Sequence, residues 1–117
     1  MQYLTNAFSV QMIKNLLSYG TEVPVYFRLL TPEEFAVKLK LYFVNALGHP
    51  GVVEYVNKRF GLNLKVNRIT ITLNHGDTVL IIMPNTERLP PGTELNAETM
   101  FELEKQGLIL FIEARVP

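Results

Sequence analysis

The clearest pattern along the chain lies in Asn67 to Leu73, where Ile69, Ile71 and Leu73 alternate with Arg68, Thr70 and Thr72. That is the period of a half-buried strand. "NHGD" at Asn74 to Asp77 reads as a tight turn and Thr78 to Met83 ("TVLIIM") as an apolar run fit for a central strand, so the three together predict a β-hairpin. Upstream, Gln2 to Leu4 reads as a short strand, and Ser9 to Leu17 carries Met12, Ile13, Leu16 and Leu17 at helical spacing with Ser9 in the cap position. Val23 to Leu30 is rich in β-branched and aromatic residues, and Pro24 assigns it to a sheet edge. "TPEEF" then starts a helix: Thr31 caps, Pro32 needs no N–H partner, and two acids fill the first turn.

Leu39 to Leu47 is open between continued helix and short strand. After it, Pro50 to Phe60 sets Val52, Val53, Val56 and Phe60 on one stripe, with Gly61 as a stop. "PNTERLPPGTEL" is a loop by its proline and glycine content. Asn96 to Gln106 reads as a helix capped by Asn96, with Met100, Phe101 and Leu103 inward and Gly107 at its end; Leu108 to Val116 closes the chain as a strand. The expected architecture is a single α/β domain over 1–117, with a mixed sheet of about five strands flanked by helices.

Composition narrows the class. Apolar residues make up 48% and charged residues 19% of the 117 positions, the mix of an ordinary folded domain. Lys+Arg and Asp+Glu both number 11, so there is no bulk positive field to hold long DNA or RNA, although a few well-placed donors suffice for a small anion. With no cysteine, disulfides and thiol chemistry are excluded. "MQYLTNAFSV" lacks a basic region followed by a long apolar run, and no stretch is long enough to span a bilayer, so the expected location is cytoplasmic, away from membranes.

Candidate chemistry concentrates in "NALGHP". Gly48 gives a flexible approach, His49 stands at the cap position, and Pro50 lacks the N–H that a first helical turn leaves unpaired. The amides that follow sit at a helix N-terminus, where the dipole favours an anion. Local chemistry leaves His49 open between a helix cap and an acid placed beside a phosphate. "LTNAFSV" repeats the strand-turn-helix logic: Asn6 and Ser9 are donors for phosphate or ribose oxygens, or else a turn residue and a cap. Arg68 and Arg88 carry planar forks suited to phosphate, against the plainer reading of surface arginines. His75, in the predicted hairpin turn, reads as a solvated turn residue. No H-E-x-x-H, H-x-H or D-x-D spacing supports a metal centre, no cofactor is implied, and the P-loop, G-x-G-x-x-G and G-x-S-x-G patterns are absent.

Taken in order, "LTNAFS", "NALGH", "NRITITLNHGD", "RLPPG" and the closing "LILFIE" resemble the viral ring nucleases that act as type III anti-CRISPR proteins. The resemblance spans almost the whole chain. It implies a homodimer of α/β subunits that binds cyclic tetra-adenylate, the second messenger of type III CRISPR defence, across its two-fold axis. It further implies metal-independent cleavage to linear oligoadenylates ending in 2′,3′-cyclic phosphates. On this resemblance the family's essential histidine matches His49, its N-R pair and loop arginine match Arg68 and Arg88, and its pocket Asn and Ser match Asn6 and Ser9. Two departures stand out: Pro91 precedes Gly92 where the family often has an acid, and Leu108 stands where some members have lysine. Two other functions remain beside the nuclease: a module that sequesters a cyclic nucleotide without cutting it, and a small viral regulatory or interaction protein.

Overall fold

A computed structural model describes residues 1–85 and 91–117. In chain order they form β1 (Gln2–Thr5), a 3-10 helix (Val10–Leu16), β2 (Tyr26–Leu30), α1 (Pro32–Lys38), β3 (Val44–Asn45), α2 (Pro50–Phe60), β4 (Thr78–Pro84), α3 (Ala97–Lys105) and β5 (Ile109–Arg115). The five strands make one mixed sheet in the order β2-β5-β4-β1-β3. β1 runs parallel to both β3 and β4, while β5 runs antiparallel to β4 and β2. The α/β class and the five-stranded mixed sheet agree with the expectation from the sequence.

The apolar run of β4 takes the central place because both its faces are covered. On one face Leu4, Leu80, Ile82 and Phe111 meet Phe35 of α1, Val52 and Val56 of α2, and Met100 and Leu103 of α3. On the other, Val79, Ile81 and Ala114 lie under Ile13 of the 3-10 helix and under Ile71 and Leu73. Alternate residues of β1, β4 and β5 thus feed two separate cores. β2 is an edge strand, as Pro24 suggested, and it leaves Phe27 58% and Leu29 66% exposed.

Local signals explain the helices. Thr31 and Glu34 form a reciprocal capping box, with the Thr31 Oγ1 accepting from Glu34 N–H at 3.1 Å and Glu34 Oε1 from Thr31 N–H at 2.9 Å. That bonding holds the Glu34 carboxyl below its ordinary range. Asn96 caps α3 by accepting from Thr99 N–H at 2.8 Å, and Gly61 ends α2 in the left-handed region at φ 68°.

Two local expectations are corrected, and one stretch left open is settled. Residues 67–73 do not pair with β4 in a hairpin, because both edges of β4 are already occupied by β1 and β5. The segment instead lies across the second sheet face: Asn67 N–H donates to Leu47 O at 2.8 Å, Leu73 N–H to Met12 O at 2.7 Å, Ile71 and Leu73 are buried, and Ile69 is left 43% exposed. Its alternation encoded burial, and burial needs no ladder. Ser9 occupies the cap position, but its side chain makes no cap bond; the element that follows is a tighter 3-10 helix. The open stretch Leu39 to Leu47 resolves into turns and the two-residue strand β3.

Candidate functional site

Register places the site. Leu4 of β1 pairs with Asn45 of β3 in parallel, so both strands end at the same edge of the sheet, and Asn6 and the Ala46–His49 turn emerge side by side. From there β1 leads to the 3-10 helix on one sheet face and β3 leads to α2 on the other. Neighbouring parallel strands whose connections diverge to opposite faces open a crevice at their carboxyl ends, the usual ligand position in such sheets.

Hydrogen bonds tie the predicted residues together there. Asn6 Oδ1 accepts from Gly48 N–H at 3.3 Å, and Arg68 Nε donates to Gly48 O at 2.9 Å. A Cβ on Gly48 would stand 3.2 Å from Arg68 Cγ, so the arginine stem packs close over the glycine. His49 caps α2: its Nδ1 accepts from Gly51 N–H at 3.1 Å. An accepting Nδ1 carries no proton, so the neutral ring holds its proton on Nε2, which has no hydrogen-bond partner among the described residues. Capping and acid chemistry therefore need different nitrogens of one ring. The neutral ring caps α2, whereas an imidazolium, protonated on both nitrogens, must release the Gly51 bond to act as an acid.

His49 also lines a cleft of about 390 Å³ with Gly51, Glu54, Glu94 and Asn96, formed where the N-termini of α2 and α3 meet. Glu54 is engaged by Lys58 at 2.9 Å. Ser9 is exposed and is joined by no hydrogen bond to Asn6, Gly48, His49 or Arg68. Arg88 lies outside the described residues. His75 sits in its turn, where its Nδ1 donates to Pro117 O at 2.8 Å. Among the described residues no three His, Asp or Glu side chains converge as metal ligands.

Sequence reading missed two asparagines that build this site. Asn45 Oδ1 accepts from Leu47 N–H at 3.0 Å while its Nδ2 donates to Lys65 O at 2.6 Å, and Asn67 Nδ2 donates to Asn45 O at 2.8 Å. They lash the Gly48 turn to the segment bearing Arg68. The only signal was their recurrence beside the two chemical residues, in "NALGH" and "NR".

The family model for STIV B116-like proteins matches residues 2–110 of this chain. The chain belongs to the STIV B116-like family. Uncharacterized protein ORF116 of Acidianus filamentous virus 1 (isolate United States/Yellowstone) is 33% identical over 118 residues, covering 97% of this chain and 94% of the relative. Uncharacterized protein 26 of Sulfolobus islandicus filamentous virus (isolate Iceland/Hveragerdi) is 32% identical over 97 residues, covering 82% and 80% of the two chains. Among solved structures, B116 of Sulfolobus turreted icosahedral virus is 34% identical with a TM-score of 0.74, each chain covered to 97%. This B116-like chain thus joins a family of viral proteins, and it shares the fold of B116 over nearly its whole length. None of its described helices is long and apolar enough to cross a membrane.

Proposed function

We propose that this B116-like protein is a metal-independent ring nuclease that binds cyclic tetra-adenylate and opens it to linear oligoadenylates, countering type III CRISPR signalling in the host cytoplasm. The observation that carries this reading is His49: its Nδ1 is spent on the α2 cap, its Nε2 is unpartnered among the described residues, and Arg68 and Asn6 are bound to the adjacent Gly48. In the proposed step a ribose 2′-oxygen attacks its neighbouring phosphorus, the bond from phosphorus to the 5′-oxygen breaks, and His49, protonated at Nδ1 with its Gly51 cap bond released, gives its Nε2 proton to the departing oxygen. The 2′-hydroxyl proton passes to solvent, and solvent reprotonates the histidine. Because the ring carries its own nucleophile, the protein's task is alignment and charge stabilisation, to which the Arg68 fork contributes. General acid help of this kind is worth about 10² to 10⁴ in rate.

A homodimer belongs to the same reading. Among the described residues the backbone N–H groups of Arg68, Thr70 and Thr72 have no protein partner. Antiparallel self-pairing centred on Thr70 would set Arg68 opposite Thr72 of a second copy, with no like charges facing each other. The chain has no cysteine, so a Thr70→Cys variant that forms an inter-chain disulfide under mild oxidation supports this pairing, and one that stays monomeric removes it.

The second reading, a sequestering module that does not cut, is favoured by Pro91 standing before Gly92 where the ring nucleases often carry an acid. Incubation with cyclic tetra-adenylate in EDTA separates the two. Linear products with 2′,3′-cyclic phosphate ends support the nuclease; tight binding with an intact ring supports sequestration. Absence of binding leaves a small viral regulatory or interaction protein.

A further inference from the structure

We propose that Tyr55, through Glu104 and Arg59, is a positioning residue for His49. The inference rests on the nuclease reading for its kinetic consequence and on geometry for the rest.

Gly51, Tyr55 and Arg59 recur at every fourth position of α2 and so share one face of that helix. All three meet α3 or its approach. A Cβ on Gly51 would stand 2.2 Å from Leu95 O and 2.8 Å from Asn96 Cα, so the two backbones touch at the N-terminal end of the seam. One turn on, the Tyr55 ring packs edge-on against Phe101 at 4.8 Å between centroids. Beyond it, the Tyr55 hydroxyl donates to Glu104 Oε1, and Arg59 Nε stands 3.0 and 3.1 Å from the two oxygens of the same carboxylate.

These contacts make α2 and α3 parallel neighbours with their N-termini together. Each N-terminus carries about half a positive elementary charge, so the ends at the cleft repel and gain nothing from lying side by side. An apolar seam would resist rotation of one helix against the other less, because hydrophobic burial is non-directional. A buried tyrosine that must keep its one donor on one acceptor does not tolerate it. Tyr55 has no exposed surface, and burial first, then the Glu104 bond, pushes its ionisation well above the ordinary value. The Glu104 bond likewise raises the Arg59 guanidinium, so the tyrosine keeps its proton and the arginine its charge. Tyr55 lies six residues after the His49 cap, about 9 Å along the axis. The azimuth it enforces on α2 is the azimuth of Gly51 N–H, and that N–H orients the imidazole through Nδ1.

The test is Tyr55→Phe, which keeps the ring and deletes the hydroxyl. With cyclic tetra-adenylate as substrate, kcat falls by about tenfold to a hundredfold while KM stays near the wild-type value, the pattern of a misplaced acid. Nitrogen-resolved NMR of the His49 ring then shows loss of the single Nε2–H tautomer. Unchanged kcat and an unchanged His49 spectrum, with only a lower Tm, overturn the proposal. Should Tyr55→Phe fail to fold, Glu104→Gln decides. It keeps an acceptor for the tyrosine but drops the charge that holds Arg59, and wild-type kcat and spectrum in that variant overturn the proposal. A wild-type protein that does not open the ring removes the nuclease reading alone, since the tautomer comparison still decides whether Tyr55 positions His49.

Discussion

The two segments that carry the site's ring and its cation, α2 with His49 and the extended residues 67–73 with Arg68, fold by different means. α2 is held by signals within its own sequence: His49 as cap, Pro50 in the first turn, Gly61 at the left-handed end. The 67–73 segment has no such signals, and its place is set by distant partners: Leu47 O, Met12 O, the Asn45 carbonyl that receives Asn67 Nδ2, and the apolar face beneath Ile71 and Leu73. A helix satisfies its backbone locally, whereas an extended segment depends on what the rest of the fold leaves available.

The sharpest test of the α2 half separates the two roles of His49. Asn is a good cap and has no titrating ring, so His49→Asn is expected to hold stability close to wild type while ring cleavage drops by about 10² to 10⁴. His49→Ala loses the cap as well, lowering stability by about 0.5–2 kcal/mol in urea titrations. Cleavage that survives in His49→Asn refutes the assigned acid.

Gly51→Ala comes next. Its Cβ has no room before Leu95 O, so the α2 and α3 N-termini must part, at a cost of about 1–3 kcal/mol. A Tm equal to wild type would show that this contact is looser than the backbone approach implies.

Alkaline pH probes the same seam. Tyr55 ionises at an ordinary value near 10 in the unfolded chain and higher in the folded one. Its stabilising contribution is therefore complete below pH 10 and is lost as pH rises above it, with a slope of up to about 1.4 kcal/mol per pH unit. Chemical denaturation between pH 9 and 11 is expected to show that slope in the wild type and a shallower one in Tyr55→Phe. Parallel curves for the two proteins would deny the coupling.

In the extended segment, the smallest effects test whether burial alone sets its alternation. Ile71→Val removes a buried methyl group and should lower stability by about 0.5–1.5 kcal/mol. Ile69→Val, at the exposed position, should stay within about 0.5 kcal/mol of wild type. Equal losses at both positions would mean that Ile69 is covered in solution.

Particular residues show how much was legible in advance. Thr31, Asn96 and Gly61 announced helix ends because caps are short-range chemistry. Pro24 pointed to an edge strand, although β2 begins after it at Tyr26 and its edge place is set by the sheet order. His49 was visible for the same reason as those helix ends, being a cap within one turn, whereas what packs over Gly48 is the distant Arg68. The hairpin at Asn74 to Asp77 failed because a turn joins two strands only if the second has a free edge on that side, and β4 had none. Asn45 and Asn67 were invisible as partners because nothing local distinguishes an asparagine that spans 22 positions from one that only turns the chain.

By itself, then, the sequence determined the elements with local punctuation, the α/β class, the apolar stretch that became the central strand, and a histidine at a helix start. The tertiary structure alone decided that β1 and β3 end together with their connections diverging to opposite faces. It brought Asn6 and Arg68 onto the two sides of Gly48 and fastened α2 to α3 through Tyr55. Those are contacts between residues far apart in the chain, and their energies come from which edges and faces remain open once the sheet is built.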